Sequence, residues 1–285
     1  MTFHLQAFAP CSRVITVQQT ELHYLEWGTP TNPPLVLLHG GSAHAHWWDH
    51  IAMDLAQGYH VLALDLRGHG DSAWVTPPAY GINDYVSDLE DFIATLSLAP
   101  VILLGHSLGG FIALTYASAH AEALCALVVV DMGFRLRQSR RMRLLSHFPA
   151  PIYQDEEDLF RRFRLLPPET RASASLLQEI ARHSVQRLPD GRFSLKFDRA
   201  TLMREPWDLT SSLSRITCPA LFLRGGESQH LSAGTLAEMV TRCPQAHGLD
   251  IPDAGHHLFL DHPAAFLYAV RSFLHNTRGE FTCKT

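Results

Sequence analysis

Short, unbroken apolar runs alternate along this chain with amphipathic stretches. Leu35-Val-Leu-Leu38, His60-Val-Leu-Ala-Leu64, Val101-Ile-Leu-Leu104, Ala123-Leu-Cys-Ala-Leu-Val-Val-Val130 and Pro219-Ala-Leu-Phe-Leu223 carry almost no polar positions, the pattern of strands buried on both faces of a sheet. Between them apolar residues recur at helical spacing: Tyr85, Leu89, Phe92 and Ile93 within 82–96, Phe111, Ala113, Leu114 and Ala117 just after the third run, and Phe266, Leu267, Val270, Phe273 and Leu274 within 263–275. Further helices are expected over 43–57 and 233–241, and a further strand near 247–251. Residues 12–27 instead alternate apolar with polar, which predicts a hairpin at an antiparallel sheet edge. Eight strands with interposed helices predict a mostly parallel α/β sheet with right-handed crossovers, flanked by helices. Ligands of such sheets bind beyond the carboxyl ends of the strands. Ser107, Gly41 and Asp131 all fall at such ends.

From 133 to 205 the pattern changes. Strand-like runs vanish, and fifteen Lys and Arg face nine Asp and Glu, in a chain whose net charge is −5. Amphipathic helices are expected over 134–146, 156–165 and 172–182. The segment reads as a helical lid inserted into the sheet domain, which would comprise 1–132 and 206–285. Its charge suits a solvated face; attraction of acidic substrates is the weaker reading.

A chain of 285 residues with 46% apolar content can bury a large core in one domain. Net negative charge gives no general field for nucleic acid or an anionic membrane surface. No signal peptide and no run long enough to span a membrane are read from the sequence. Five scattered cysteines without a C-x-x-C pair suit reduced thiols in a cytoplasmic protein. The tail after Asn276 is polar and expected to be mobile.

Chemistry concentrates at two glycine turns. In Gly105-His-Ser-Leu-Gly109 an expected strand becomes a helix within one residue, which lifts the Ser107 hydroxyl clear of the sheet at a helix N-terminus. Acyl transfer needs two N–H donors aimed at the oxygen that becomes negative. The Leu108 N–H supplies one, and Gly41 in His39-Gly-Gly-Ser42 is placed to supply the other. Trp47, His106 and Trp207 are candidate walls of a substrate pocket, with Trp48 also a packing candidate. His44, His46 and His50 lack the spacing of zinc hydrolase motifs, so no metal and no cofactor are expected. In Asp65-Leu-Arg-Gly-His-Gly-Asp-Ser72, Asp65 and Arg67 are expected to form a local ion pair.

His39-Gly-Gly41, Asp65 to Ser72, Gly105 to Gly109 and Ala254-Gly-His256, in this order, resemble the α/β-hydrolase superfamily, specifically its lid-bearing esterase and C–C hydrolase branch. The resemblance covers essentially the whole chain. It implies that Ser107 is the nucleophile, His256 the general base and the N–H groups of Gly41 and Leu108 the oxyanion hole. It also implies an acid in the loop after Leu223, but that loop reads Arg224-Gly-Gly-Glu-Ser-Gln229, and a Gln cannot stabilise an imidazolium. Asp131 and Glu227 are the substitutes; Asp131 is preferred because it needs only a strand-end position. His257 is expected to stand behind the site. The implied activity is hydrolysis of a small carboxylic ester with a hydrophobic acyl or aryl group. Lactone, thioester or C–C cleavage would use the same residues, and a catalytically weak binding protein is the alternative from another class.

Overall fold

The computed structural model describes residues 9–277. Readings that fall on 1–8 and 278–285, including the absence of a leader, Cys283 and most of the polar tail, lie outside the described residues. β1 (Cys11–Val17) and β2 (Thr20–Trp27) form the expected hairpin, followed by β3 (Pro34–Leu38), α1 (Asp49–Leu55), β4 (His60–Leu64), α2 (Ile82–Thr95), β5 (Val101–His106), α3 (Leu108–Ala119) and β6 (Leu124–Val130). Next come β7 (Arg135–Leu136), α4 (Arg140–Ser146), β8 (Ile152–Tyr153), α5 (Glu156–Arg162), α6 (Ala174–His183), β9 (Val185–Arg187), β10 (Phe193–Leu195) and β11 (Trp207–Asp208). The chain then returns through β12 (Ala220–Gly225), α7 (Ala233–Arg242), β13 (Ala246–Ile251), α8 (Leu258–Asp261) and α9 (Pro263–Thr277).

Eight strands form one sheet in the order β1-β2-β4-β3-β5-β6-β12-β13. Only the β1–β2 and β2–β4 pairings are antiparallel. β4 and β5 are buried along their whole length and β3 from Leu35 onward, as their unbroken apolar runs require. One apolar layer packs α2 and α3 against one face (Leu89, Phe92, Phe111, Leu114), and another packs α1 and α9 against the opposite face (Trp48, Ile51, Phe266, Val270). No helix among the described residues is long and apolar enough to cross a membrane.

The segment 133–205 stands apart from the large sheet but is not wholly helical. β8, β10 and β9 make a three-stranded sheet, and β7 pairs with β11. The helix expected to begin at 134 begins at Arg140, because Arg135 and Leu136 are taken up in pairing with Asp208 and Trp207. Strands of two or three residues are too short to show a period of two. The segment has its own apolar cluster around Tyr153, Leu159, Phe197 and Leu202.

The turn after β4 corrects a second expectation. Arg67 does not pair with Asp65; its guanidinium forks onto Asp88 of α2, with both groups buried. Asp65 serves instead as a hub, accepting from the backbone N–H of Ala45 (2.6 Å) and Asp71 (3.0 Å) and from His23 Nδ1 (2.7 Å). Burial pushes its carboxyl pKa up. The His23 hydrogen bond, the electrostatic influence of the His39 and His44 rings and the Asp71 N–H outweigh that and hold it well below the usual carboxylate range.

Two stability outcomes follow. Arg67→Met strands the Asp88 carboxylate and should cost about 3–5 kcal/mol in urea unfolding. Arg135→Met, at the exposed Asp208 pair, should cost less than about 1 kcal/mol. Equal losses would refute the buried pairing of Arg67 with Asp88. Separately, a Cβ on Gly105 would stand 2.3 Å from the Gly109 carbonyl oxygen. Gly105→Ala should therefore destabilise by about 3 kcal/mol or more, and an unchanged melting temperature would contradict this packing.

Candidate active site

β5 ends at His106, and Ser107 turns the chain directly into α3. Its backbone (φ 51°, ψ −116°) lies where a residue with a Cβ is strained, and it is held there because its N–H donates to the Val130 carbonyl (3.0 Å). Helix α3 starts so close to β3 that a Cβ on Gly109 would meet the Leu38 carbonyl oxygen at 2.3 Å. The Gly109 N–H donates to the His39 carbonyl (3.1 Å) and ties the two strand ends together.

The turn after β3 is braced by His39. The Leu66 N–H donates to its Nε2 (3.0 Å), which fixes the tautomer so that Nδ1–H donates to the Gly40 carbonyl (2.7 Å). Burial lowers the pKa of His39 and keeps the ring neutral for this task. Among the described residues, the N–H groups of Gly41 and Leu108 donate to no protein acceptor. Leu108 is the first residue of its helix, where a free N–H is expected.

His256 lies in the turn between β13 and α8, and its Nδ1–H donates to Asp131 Oδ2 (2.7 Å). Asp131 follows β6 in a left-handed conformation (φ 48°) and is wholly buried. Its other partners come from the loop after β12: the Ser228 hydroxyl donates to Oδ2, and the Gly225 N–H donates to Oδ1 (3.1 Å). Glu227, the other candidate acid, points elsewhere and accepts from Arg171 at the surface with both oxygens (2.7 Å each). Gln229 hydrogen-bonds only to the Glu227 carbonyl (3.3 Å).

His106 does not wall a pocket. It is buried, and its Nε2–H donates to the carbonyl of His256 (2.9 Å), so the residue before the serine pins the loop that carries the histidine. His257 is also buried behind the site, with its Nε2–H donating to the Pro167 carbonyl (2.9 Å). Trp47 is 4% exposed and packs edge-on against His257 and beside Phe259, which makes it core. Trp207 lines a neighbouring cavity with Tyr85 and Leu108, which shares Leu136 and Arg204 with the cavity that holds Ser107. Both tryptophans were expected at the pocket from size alone, and neither lines the cavity that holds Ser107.

Ser107, Gly41, His256 and His230 line one cavity of about 490 Å³, closed from above by Phe134, Leu136, Met142, Leu166, Pro167 and Arg204. No direct hydrogen bond joins Ser107 to His256 among the described residues. With Nδ1 engaged by Asp131, the ring nitrogen left for proton transfer is Nε2. Such contacts commonly tighten only when substrate is bound. Desolvation, with His257, His230 and Arg204 nearby, lowers the pKa of His256 well below the usual imidazole value. Burial raises that of Asp131, against the opposing Ser228 and Gly225 hydrogen bonds.

Two residues were missed by sequence reading. His230 stacks on His256, with ring centroids 4.2 Å apart, and Ser228 holds the acid. Nothing in the spacing marks either one. The histidines considered for a metal diverge: His44 reaches Ser184, His46 reaches Asp49 and His50 reaches the Phe259 carbonyl. Among the described residues, three groups do bring potential ligand atoms within 4.8 Å of one another: His106 with His256 and His257, His46 with Asp49 and His183, and His23 with Asp65 and Asp71. In the first, a cation would compete for the imidazole that Asp131 orients.

A model of the alpha/beta hydrolase family matches residues 35–270. An esterase of Mycobacterium tuberculosis is 27% identical over 271 residues, covering 93% of this chain and 90% of the relative. The 2-(acetamidomethylene)succinate hydrolase of Mesorhizobium japonicum is 25% identical over 272 residues, covering 92% and 95%. A crystal structure of an E-2-(acetamidomethylene)succinate hydrolase superposes with a TM-score of 0.82 at 23% identity, covering 94% of this chain and all of that one. The structural match shows a shared fold. The chain is a hydrolase that belongs to the alpha/beta hydrolase family.

Proposed function

We propose that this hydrolase cleaves carboxylic esters through an acyl-enzyme on Ser107, with His256 as general base and Asp131 as its orienting acid. The observation that carries the reading is the hydrogen bond between His256 Nδ1 and buried Asp131, which sets His256 in one cavity with a strained Ser107 and the turn at Gly41. Residues 133–205 act in this reading as the lid that selects the substrate.

Each part answers a need of the reaction. His256 takes the Ser107 proton as the hydroxyl attacks the carbonyl carbon, and the N–H groups of Gly41 and Leu108 hold the oxygen as it becomes negative. Asp131 keeps the imidazole in the tautomer with Nε2 free and stabilises the imidazolium. The protonated His256 then gives its proton to the leaving alcohol, and the C–O ester bond breaks. A water molecule, deprotonated by the same ring, attacks the acyl-enzyme and releases the acid and the free serine. The low pKa of His256 favours the neutral form that accepts a proton.

Steady-state hydrolysis of short-chain p-nitrophenyl esters tests the assignment. Ser107→Ala should lower kcat by about 10⁴–10⁶-fold and Asp131→Asn by about 10⁴-fold. Glu227→Gln should stay within about threefold of wild type, because its carboxylate serves a surface pair of small worth. Loss of activity in Glu227→Gln with Asp131→Asn unaffected would sink the choice of acid.

The pH profile gives a second check. Activity needs neutral His256, and its lowered pKa extends the neutral form to more acid pH. The acid limb of kcat/KM should therefore have its midpoint below the usual imidazole value of about 6.5, with a plateau above it. Because His256 and Asp131 titrate as a pair, the midpoint belongs to both. A midpoint above about 7 would mean that the imidazolium is stabilised in the free enzyme.

A further inference from the structure

The roof of the catalytic cavity carries a cation that nothing neutralises. Arg204 follows the short turn Arg199–Leu202, and its backbone N–H is held by the side-chain oxygen of Gln138. Its guanidinium makes no hydrogen bond and no ion pair among the described residues, and its Nε is sealed from solvent. By contrast, Arg67 is matched with Asp88, Arg135 with Asp208, Arg171 with Glu227 and Arg224 with Asp250. Desolvation lowers the pKa of Arg204, with only Tyr85 opposing it. Burying an unmatched guanidinium is costly, and a fold tolerates that where a ligand completes the pair.

Its position says what the ligand is attached to. Nη2 lies against Gly41, so close that a Cβ there would stand 2.0 Å from it. The cation therefore flanks the turn assigned to the oxyanion. No Asp or Glu lines this cavity, and Arg137 stands at its rim, also without a partner among the described residues. Met132, Phe134 and Leu136 line the space between and suit the methylenes of a short chain.

We propose that Arg204 binds a carboxylate carried by the acyl group of the substrate, so that the preferred esters are half-esters of short dicarboxylic acids. The planar fork of an arginine matches a carboxylate with two parallel N–H···O bonds. Loading the anion beside Gly41 sets the ester carbonyl over Ser107. The inference rests on the acyl-transfer reading above and deepens it.

The test compares kcat/KM for monoethyl succinate and monoethyl glutarate with ethyl levulinate, a neutral ester of similar shape, followed by proton release. Wild type should favour the half-esters by about 10- to 100-fold, the worth of one charge-assisted pair. That ratio should fall to near one in Arg204→Gln and recover in part in Arg204→Lys, with circular dichroism checking that each variant folds. A second arm measures binding of monoethyl succinate to Ser107→Ala and to Ser107→Ala with Arg204→Gln by calorimetry. Binding to the first and not to the second supports the anion site whether or not wild type turns esters over. Hydrolysis of all three esters at equal rates overturns the anion site and leaves the esterase reading standing. Binding without any hydrolysis keeps the site and overturns the ester assignment. Neither binding nor hydrolysis overturns both.

Discussion

The close approach of α3 to the ends of β3 and β5 is the constraint on which the site depends. It exists because Gly105 and Gly109 lack the Cβ atoms that would strike the Gly109 and Leu38 carbonyls. From this approach follow the forced backbone of Ser107, the free N–H of Leu108 at the helix start and the distance from that N–H to the turn at Gly41. A helix displaced outward by one methyl group would separate the Ser107 hydroxyl from the Gly41 N–H. The two apolar layers on either face of the sheet hold this arrangement from outside, and they do so with residues that take no part in the chemistry.

The histidines are a second organising device. His39, His106 and His257 are each buried, and desolvation holds each neutral. A neutral imidazole donates from one nitrogen and accepts at the other, so it can staple two loops without introducing charge. His39 joins the turn after β4 to the turn after β3, His106 joins the elbow to the His256 loop, and His257 joins that loop to Pro167 above the cavity. Two of the three staples, His106 and His257, stand directly beside His256.

Much of this was legible in the sequence, for physical reasons that also mark where reading stops. Strands buried on both faces show as continuous apolar runs, so every strand of the large sheet was placed, and the glycine turns at 40–41 and 105–109 marked the strand ends where chemistry collects. The small sheets of 133–205 were not legible, because strands of two or three residues carry no period and their partners lie far away: Leu136 pairs with Trp207, and Tyr153 with Phe193. Arg67 was assigned to the nearest carboxylate in sequence, whereas α2 brings Asp88 to it in space. Trp47 shows the limit of judging a pocket by residue size, since a large ring fills a core as well as it walls a cavity.

The position of the acid is the point where sequence pattern and structure inform one another most. The resemblance places an acid in the loop after β12, and that loop carries Ser228 and Gln229 instead. Yet the loop has not left the site. Its Gly225 is pressed so tightly on Gly255 that a Cβ would stand 2.0 Å from that carbonyl oxygen, and the Glu227 N–H donates to the Ala254 carbonyl. This contact brings the Gly225 N–H and the Ser228 hydroxyl to Asp131, while the turn after β13 presents His256. A carboxylate cannot be buried without donors, and here the donors come from the segment where the acid is expected. A second carboxylate at 229 would have set like charges around one imidazole. With Asp131 in place, the loop after β12 has the complementary task of solvating it with protein.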